Sequence, residues 1–272
     1  MAQSGVTHAP SLMLRALLAF TRRLPRIKGA GRIANWIKKF YLRNHFDPVD
    51  VMAFGVNMRL YPFESSCEGA ALFYPQLWDR MELGFLREQL VPGDVFLDVG
   101  ANVGIYSLVA SQYVGEKGLA LAIEADPYTF DKLNVNLGLN SISNILPLHM
   151  GVSDTVETLR LGISRDNRGS NSFLADSAVE GVDVDCGPLS QVVNRSELKE
   201  RRIKIAKFDI EGFEWRVLGQ FFKDVAPEAY PEYIIIEHHP RKIEGDIAAL
   251  LQGRGYHVLK SSGLNYVWRA ET

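Results

Sequence analysis

One stretch constrains this chain more than any other: Val95-Phe96-Leu97-Asp98-Val99-Gly100-Ala101-Asn102-Val103-Gly104. An apolar run of strand length ends in an acid and passes through a glycine-bounded turn. It opens at once into Ile105-Tyr106-Ser107-Leu108-Val109-Ala110, which reads as a buried helix. A strand feeding directly into a helix begins a βαβ unit, and such units build mostly parallel sheets with helices on both faces. Further strand-like runs fall at 119–123, 145–150, 203–208, 233–237, 256–260 and 265–269. Between several of them lie helical stretches at about 104–113, 127–138, 213–223 and 242–252. The last two strands are joined by Ser261-Ser262-Gly263, too short for a crossover, so they pair antiparallel. The expected architecture is an α/β domain over 81–272 with a seven-stranded, mostly parallel sheet and an antiparallel C-terminal pair.

Residues 1–80 read as an extension of this domain. Two short helices at 11–23 and 30–43 are separated by Pro25 and Gly29-Ala30-Gly31. A small hairpin spans 51–62, and a helical stretch at 67–90 leads into Pro92-Gly93-Asp94. Segment 160–200 is polar and reads as a long irregular insertion over the strand ends.

Charge divides the chain. Net charge is −2, yet residues 1–46 hold nine Lys or Arg and no Asp or Glu, leaving 21 basic against 32 acidic residues in the body. No nucleic-acid partner is expected from that body. In the second helix Ile33, Trp36, Ile37 and Phe40 share one face at helical spacing. Such a stripe usually packs on a core with its lysines solvated, while the basic arm at 11–43 also suits peripheral contact with anionic lipid. The apolar run 12–20 is interrupted by Arg15 and falls short of the ~20 residues of a membrane span. It has no secretory-signal pattern. Cys67 and Cys186 provide neither a disulfide framework nor metal spacing, so a reducing, cytoplasmic setting is expected, with peripheral contact at the inner membrane face open.

The turn after the first strand is the candidate binding site, because ligands of open α/β sheets lie beyond the carboxyl ends of the strands. A dinucleotide fingerprint starting at Gly100 would need glycine where Asn102 and Ile105 stand. A ligand with a zwitterionic amino-acid end suits the acid-lined turn better than a pyrophosphate. Gly100 and Gly104 let backbone approach it, Asp98 suits an ammonium, and Asn102 adds polar contacts. Glu124, closing the second strand before Ala125-Asp126-Pro127, is placed to accept two ribose hydroxyls, or else serves as a helix N-terminal charge.

Four segments in order make the chain resemble the FkbM-type S-adenosylmethionine methyltransferases. They are Phe96–Gly104, Ala122–Pro127, Leu133-Asn134-Val135-Asn136-Leu137-Gly138-Leu139-Asn140, and Lys207-Phe208-Asp209-Ile210-Glu211-Gly212-Phe213-Glu214. The resemblance covers roughly 80–240 and implies a Rossmann-like class I methyltransferase fold with S-adenosylmethionine as cofactor. It further implies that Asp98, Gly100 and Asn102 meet the methionine part, that Glu124 holds the ribose, and that Asp154 lies by the adenine. Proline sits one place later here, at Pro127, than the family usually has it.

For the methyl acceptor, Asp209 and Glu211 end one strand, and Glu237-His238-His239 end the next at the same sheet edge. Asp209, Glu211 and His238 are the candidates for acceptor chemistry, with His239 behind them. A divalent metal held by Asp209, Glu237 and a histidine is a further option. Family members commonly methylate sugar hydroxyls, so a small-molecule or glycan acceptor is expected. The polar run Arg165, Asp166, Asn167, Arg168, Asn171 and Ser172 suits either a saccharide site or a lid. A lipid, natural-product or protein acceptor, or a cofactor-binding module without turnover, stand as alternatives.

Overall fold

A computed structural model describes residues 8–164, 169, 171–173, 180–198, 201–237 and 245–271. Helix α1 (Leu12–Thr21) begins where the Ser11 hydroxyl accepts the Leu14 N–H at 3.2 Å. Helix α2 (Ala30–Leu42) starts after a left-handed Gly29. Strands β1 (Val49–Ala53) and β2 (Val56–Leu60) form the expected hairpin. The single helix expected over 67–90 is two, α3 (Ser66–Phe73) and α4 (Arg80–Gln89). Pro75 disfavours helical geometry at Tyr74, which leaves the helical region at φ −145° and ψ 54°, and the chain re-enters a helix only after Asp79.

The main domain continues through β3 (Val95–Val99), α5 (Ile105–Val114), β4 (Leu119–Glu124), α6 (Pro127–Gly138) and β5 (Ile145–His149). Next come β6 (Gly151–Ser153), β7 (Glu157–Gly162), β8 (Gly181–Pro188) and α7 (Leu189–Val193). The chain ends with β9 (Ile203–Phe208), α8 (Glu214–Asp224), β10 (Tyr233–Glu237), α9 (Ile247–Gln252), β11 (Tyr256–Ser262) and β12 (Asn265–Ala270). The seven-stranded sheet runs β11-β12-β10-β9-β3-β4-β5. Strands β10 to β5 are parallel, and β12 is antiparallel to both its neighbours. This is the Rossmann-like arrangement expected.

Both sheet faces are covered, which explains the unbroken apolar runs. Along β3, Val95, Leu97 and Val99 face one core with Val217, Leu218 and Phe221 of α8, while Phe96 faces another with Phe85 of α4 and Val109 of α5. The chain moves outward from β3 to β5, then returns to lay β9 on β3's other side. That reversal between β3 and β9 is the switch point at which a crevice opens.

The described residues of segment 160–200 are more regular than its polarity suggested. Strand β8 pairs parallel with β6 and antiparallel with β7, making a separate three-stranded sheet. Its alternation buries Val184 and Cys186 against Leu161 while Asp183 and Asp185 face outward. Half-exposed strands carry polar residues at every second position, and that alternation hid the strand.

The N-terminal residues join the body in one core. Leu14, Leu18, Ile37 and Tyr41 pack with Met58, Leu60 and Phe73, and with Val103, Ile105 and Leu108 around the start of α5. Polar fasteners reinforce this junction. Lys132 of α6 is buried, bonded to Glu68 at 2.7 Å and Glu64 at 3.1 Å, and lies 4.2 Å from the Tyr61 ring centroid. Asn136 accepts the Arg59 N–H at 2.7 Å and donates to the Val103 carbonyl at 2.9 Å. Asn140 accepts from the Asn57 N–H and donates back to its carbonyl.

The α2 stripe departs from expectation. Ile37 is buried, but its inward companions are Ala30, Ala34, Lys38 and Tyr41, whereas Ile33, Trp36 and Phe40 are exposed. Small residues let α2 lie close to the body, which turns the bulky ones outward. No helix among the described residues is long and apolar enough to cross a membrane.

Replacing Lys132 by Met leaves Glu68 buried without its cation, a loss on the order of 3–5 kcal/mol. Burial already pushes Glu68 up to about 7 despite Lys132. A carboxyl raised in the folded state costs stability as pH climbs from its unfolded to its folded value. In the wild type that loss levels off above about 7, while without Lys132 the folded value rises and the loss continues. The urea midpoint of Lys132→Met should therefore fall further below wild type at pH 8 than at pH 6 (about one unit either side of Glu68's value).

Candidate functional site

The two central turns meet backbone to backbone. The Asp209 N–H donates to the Val99 carbonyl at 3.0 Å, continuing the β3–β9 ladder past its last pair. Gly100 follows at φ +84°, and a Cβ there would collide with the Asp209 carbonyl oxygen. Glycine is thus required by the approach of β9's turn. Gly104, at φ +88°, is required by packing, because a Cβ would strike Leu133 of α6.

The backbone N–H groups of the Gly100–Gly104 turn are all engaged internally. Those of Gly100 and Ala101 donate to the Ile123 carbonyl, that of Gly104 to Ala101, and that of Val103 to the Asn102 side chain. The Asn102 N–H donates to Glu124 Oε2 at 2.8 Å, and the Asp126 N–H to Oε1 at 2.9 Å. A pyrophosphate clamp needs free N–H groups at this point, and this turn has none to give. Burial pushes Glu124 up to about 7, against the N–H groups of Asp126 and Asn102 that favour its charged form.

Gly100, Asn102, Glu124, Thr129, Asn171 and Ser172 line a cleft at the switch point, with Asp209 and Glu211 closing one end. A second hollow, of about 320 Å³, shares Asn102, Asp209 and Glu211 with it and extends to Trp78, Asp79, Glu82, Tyr106, Lys207 and Glu237. The turn at the shared wall is tight: Glu211 has φ +53°, and Glu214 accepts the Ile210 and Gly212 N–H groups. Ser172 donates to the Glu211 carbonyl at 3.0 Å, tying the segment after β7 to this turn.

Lys207 is the electrostatic centre. Its ammonium lies 2.9 Å from Asp209 Oδ2 and 4.5 Å from the Tyr106 ring centroid. Burial works to discharge it, but Asp209, Asp98 and Asp79 outweigh that and hold it firmly protonated. Tyr106 donates to Asp79 at 2.7 Å, and burial still pushes Asp79 up to about 6.

Asn102, Gly100, Glu124, Asp209 and Glu211 are brought together as the sequence suggested. Asp98 stands behind the cleft wall, fully buried, with Oδ2 accepting from Ser107 at 2.6 Å and Oδ1 without a partner. Burial raises its pKa, with Lys207 and Ser107 opposing. Asp154 does not line the cleft. It follows β6 in the second sheet and is paired with Arg216 of α8. Gly104 opens α5 and packs on Leu133. His238 and His239 lie outside the described residues, as do Arg165 to Arg168. Among the described residues no group of three or more His, Cys, Asp or Glu could hold a metal ion. Sequence reading assigned no role to Lys207, Tyr106, Asp79 or Trp78. The available signal was a lysine between Ala206 and Phe208 in the buried half of a strand, which demands a carboxylate partner.

The family model described as the Methyltransferase FkbM domain matches residues 98–258. The chain belongs to the FkbM methyltransferase family. This FkbM-family chain is 26% identical over 170 residues to the hexuronic acid methyltransferase AglP of Haloferax volcanii, covering 61% of this chain and 64% of that one. It is also 26% identical over 200 residues to the 31-O-demethyl-FK506 methyltransferase FkbM of Streptomyces tacrolimicus, covering 63% and 75%. Among solved structures it is similar to the methyltransferase FkbM from Methylobacillus flagellatus KT, at 17% identity and TM-score 0.44, covering 74% of this chain and 53% of that one. An S-adenosylmethionine-dependent methyltransferase from Aquifex aeolicus matches at 17% identity and TM-score 0.41, covering 70% and 90%.

The family match implies S-adenosylmethionine as the cofactor of this FkbM-family chain. The residues present fit it: a turn with no N–H left for phosphate, a buried carboxylate oxygen of Asp98 lacking a donor, and Glu124 on the cleft wall.

Two glycines test the geometry with opposite signs. Gly100→Ala should destabilise by more than about 2 kcal/mol, since both its φ and its Cβ are excluded. Gly219→Ala, inside α8 with nothing within 4 Å of the new Cβ, should stabilise by about 0.5–1 kcal/mol. Chemical denaturation of the two variants beside wild type measures both.

Proposed function

We propose that this protein is an O-methyltransferase that moves the methyl group of S-adenosylmethionine to a hydroxyl of a sugar or glycan-containing acceptor. The observation that carries the reading is the shared wall of Asn102, Asp209 and Glu211 between the Glu124 cleft and the second hollow. One compartment suits a nucleoside and the other, walled by Trp78 and several polar groups, suits a ring bearing hydroxyls. The relatives' names support this: one names a hexuronic acid and the other an oxygen position of FK506.

When bound, S-adenosylmethionine supplies a sulfonium methyl carbon open to in-line attack. Gly100, Asn102 and Glu124 would hold it. Each Glu124 oxygen already accepts one backbone N–H and keeps a lone pair for a ribose hydroxyl. Asp98 adds negative charge behind the turn, on the side suited to an ammonium. In the second hollow Asp209 has Oδ2 fixed on Lys207, which leaves Oδ1 to accept the hydrogen bond of the acceptor hydroxyl. Asp209 would orient that oxygen and take its proton as the methyl carbon bonds to oxygen and its bond to sulfur breaks, leaving the sulfur as a neutral thioether, and would then pass the proton to solvent. Glu211 supplies a second carboxylate at the same wall.

Asp209→Asn keeps the shape and removes the base, so kcat should fall by about 10²–10⁴ while cofactor affinity changes little. Steady-state kinetics with glycan acceptors, joined to calorimetric titration of S-adenosylmethionine, separates the two. Equal losses in cofactor binding would reject the assignment.

Glu124 supplies a pH test. Hydroxyl donors need its ionised form, so cofactor affinity should tighten as pH rises through about 7 and level off above. Glu124→Gln should flatten that profile and weaken binding at least about tenfold at high pH. A profile unchanged by the substitution would show that another group holds the ribose.

A further inference from the structure

The outward sides of α1 and α2 carry a second apolar face that nothing in the chain covers among the described residues. On α2 the buried residues are Ala30, Ala34, Ile37, Lys38 and Tyr41. At 3.6 residues per turn, Ile33, Trp36 and Phe40 lie on the adjoining side, turned outward past Ile37. They are 50%, 69% and 61% exposed, and the Trp36 and Phe40 rings stack at 6.0 Å. Arg32, Lys39 and Arg43 border that stripe and are exposed. The pattern repeats on α1, where Leu14, Leu18 and Thr21 point inward while Leu12, Met13 and Phe20 are 83%, 51% and 54% exposed. Ile27, in the link between the helices, is 67% exposed. Single exposed apolar side chains need no explanation, but two adjacent helices each displaying such a side do.

Charge identifies what covers the face. Seven basic residues of this layer are exposed: Arg15, Arg23, Arg26, Lys28, Arg32, Lys39 and Arg43. None is in an ion pair among the described residues. The other two basic residues have structural duties. Arg22 donates to the Leu72 and Met52 carbonyls, and Lys38 lies buried over the Tyr74 ring. With no Asp or Glu before Asp47, a second copy docked through the same face would bring like charge against like. An anionic bilayer matches both features, because its phosphates face the cations while its acyl boundary receives the rings. The helices are 10 and 13 residues long, suited to lying along a surface.

We propose that α1 and α2 dock this protein on an anionic lipid surface, with Trp36, Phe40, Ile33 and Phe20 entering the headgroup boundary and the seven exposed cations meeting lipid phosphates. The proposal stands on the outer layer alone and does not depend on the methyl acceptor.

Co-sedimentation of the full chain with phosphatidylcholine vesicles, with and without phosphatidylglycerol, tests it. Binding is expected only to the anionic vesicles and should be lost at high salt. Trp36→Ser with Phe40→Ser should weaken partitioning at least about tenfold, as should Arg32→Glu with Lys39→Glu. Cofactor binding by these surface variants, measured in parallel, should match wild type and certify the fold. Equal binding to neutral and anionic vesicles, no binding to either, or full binding by the Trp36/Phe40 variant would overturn the proposal. So would a wild-type dimer in analytical ultracentrifugation that the same variant dissolves and that ignores vesicles, since the face would then join two copies.

Discussion

The contact between Gly100 and the carbonyl of Asp209 governs the rest of this molecule. Two loops from opposite halves of the sheet can share one crevice only if their backbones touch. That requires a residue without Cβ on one side and a carbonyl turned toward it on the other. Once made, the contact fixes the Asn102–Glu124 wall relative to the Asp209–Glu211 wall. The same turn uses up its own N–H groups to stay in shape, so its chemistry is left to side chains. A phosphate-binding loop spends those groups on its ligand. The choice between the two ligand classes is thus made by hydrogen-bond satisfaction within five residues.

Around that contact the structure concentrates buried charge. Lys207 would be costly in the middle of a sheet, and Asp98, Asp79 and Asp209 compensate it from three separate elements. The arrangement has a functional side, because Asp209 is at once the partner of Lys207 and the carboxylate shared by both hollows. A group with one oxygen tied to a cation has a fixed orientation, which is what positioning an acceptor oxygen requires. Tyr106 and Asp79 complete the wall from α5 and the start of α4, so residues ahead of β3 join those at the ends of β9 and β10 in lining the second hollow.

The N-terminal layer belongs to the same economy of packing. Asn136 and Asn140, part of a segment through which the chain resembles its family, clamp β2 and the Val103 carbonyl. They hold the hairpin beside the turn that carries Asn102. Lys132 ties α3 to α6 in the same way. The layer therefore braces the site from outside, while its far side displays rings and cations.

Local pattern was enough for much of this. The order of strands and helices of the main sheet, the antiparallel C-terminal pair, and the turn and acid that wall the cleft follow from hydrophobic periodicity, glycine placement and an acid at a strand end, all of which act within a few residues. Three things were decided only by tertiary packing. Alternating Asp and Val in β8 became a strand because Leu161 and Phe173 offered it a face, and no neighbour in sequence announces that. Lys207, bonded to Asp209 two residues on, is further held by Asp98 and Asp79, which lie far away along the chain. The direction of α2 was set by how closely Ala30 and Ala34 let the helix approach the body, which turned Trp36 and Phe40 to solvent. Periodicity shows that a helix has an apolar stripe, but only the shape of the surface beneath it determines which stripe goes in.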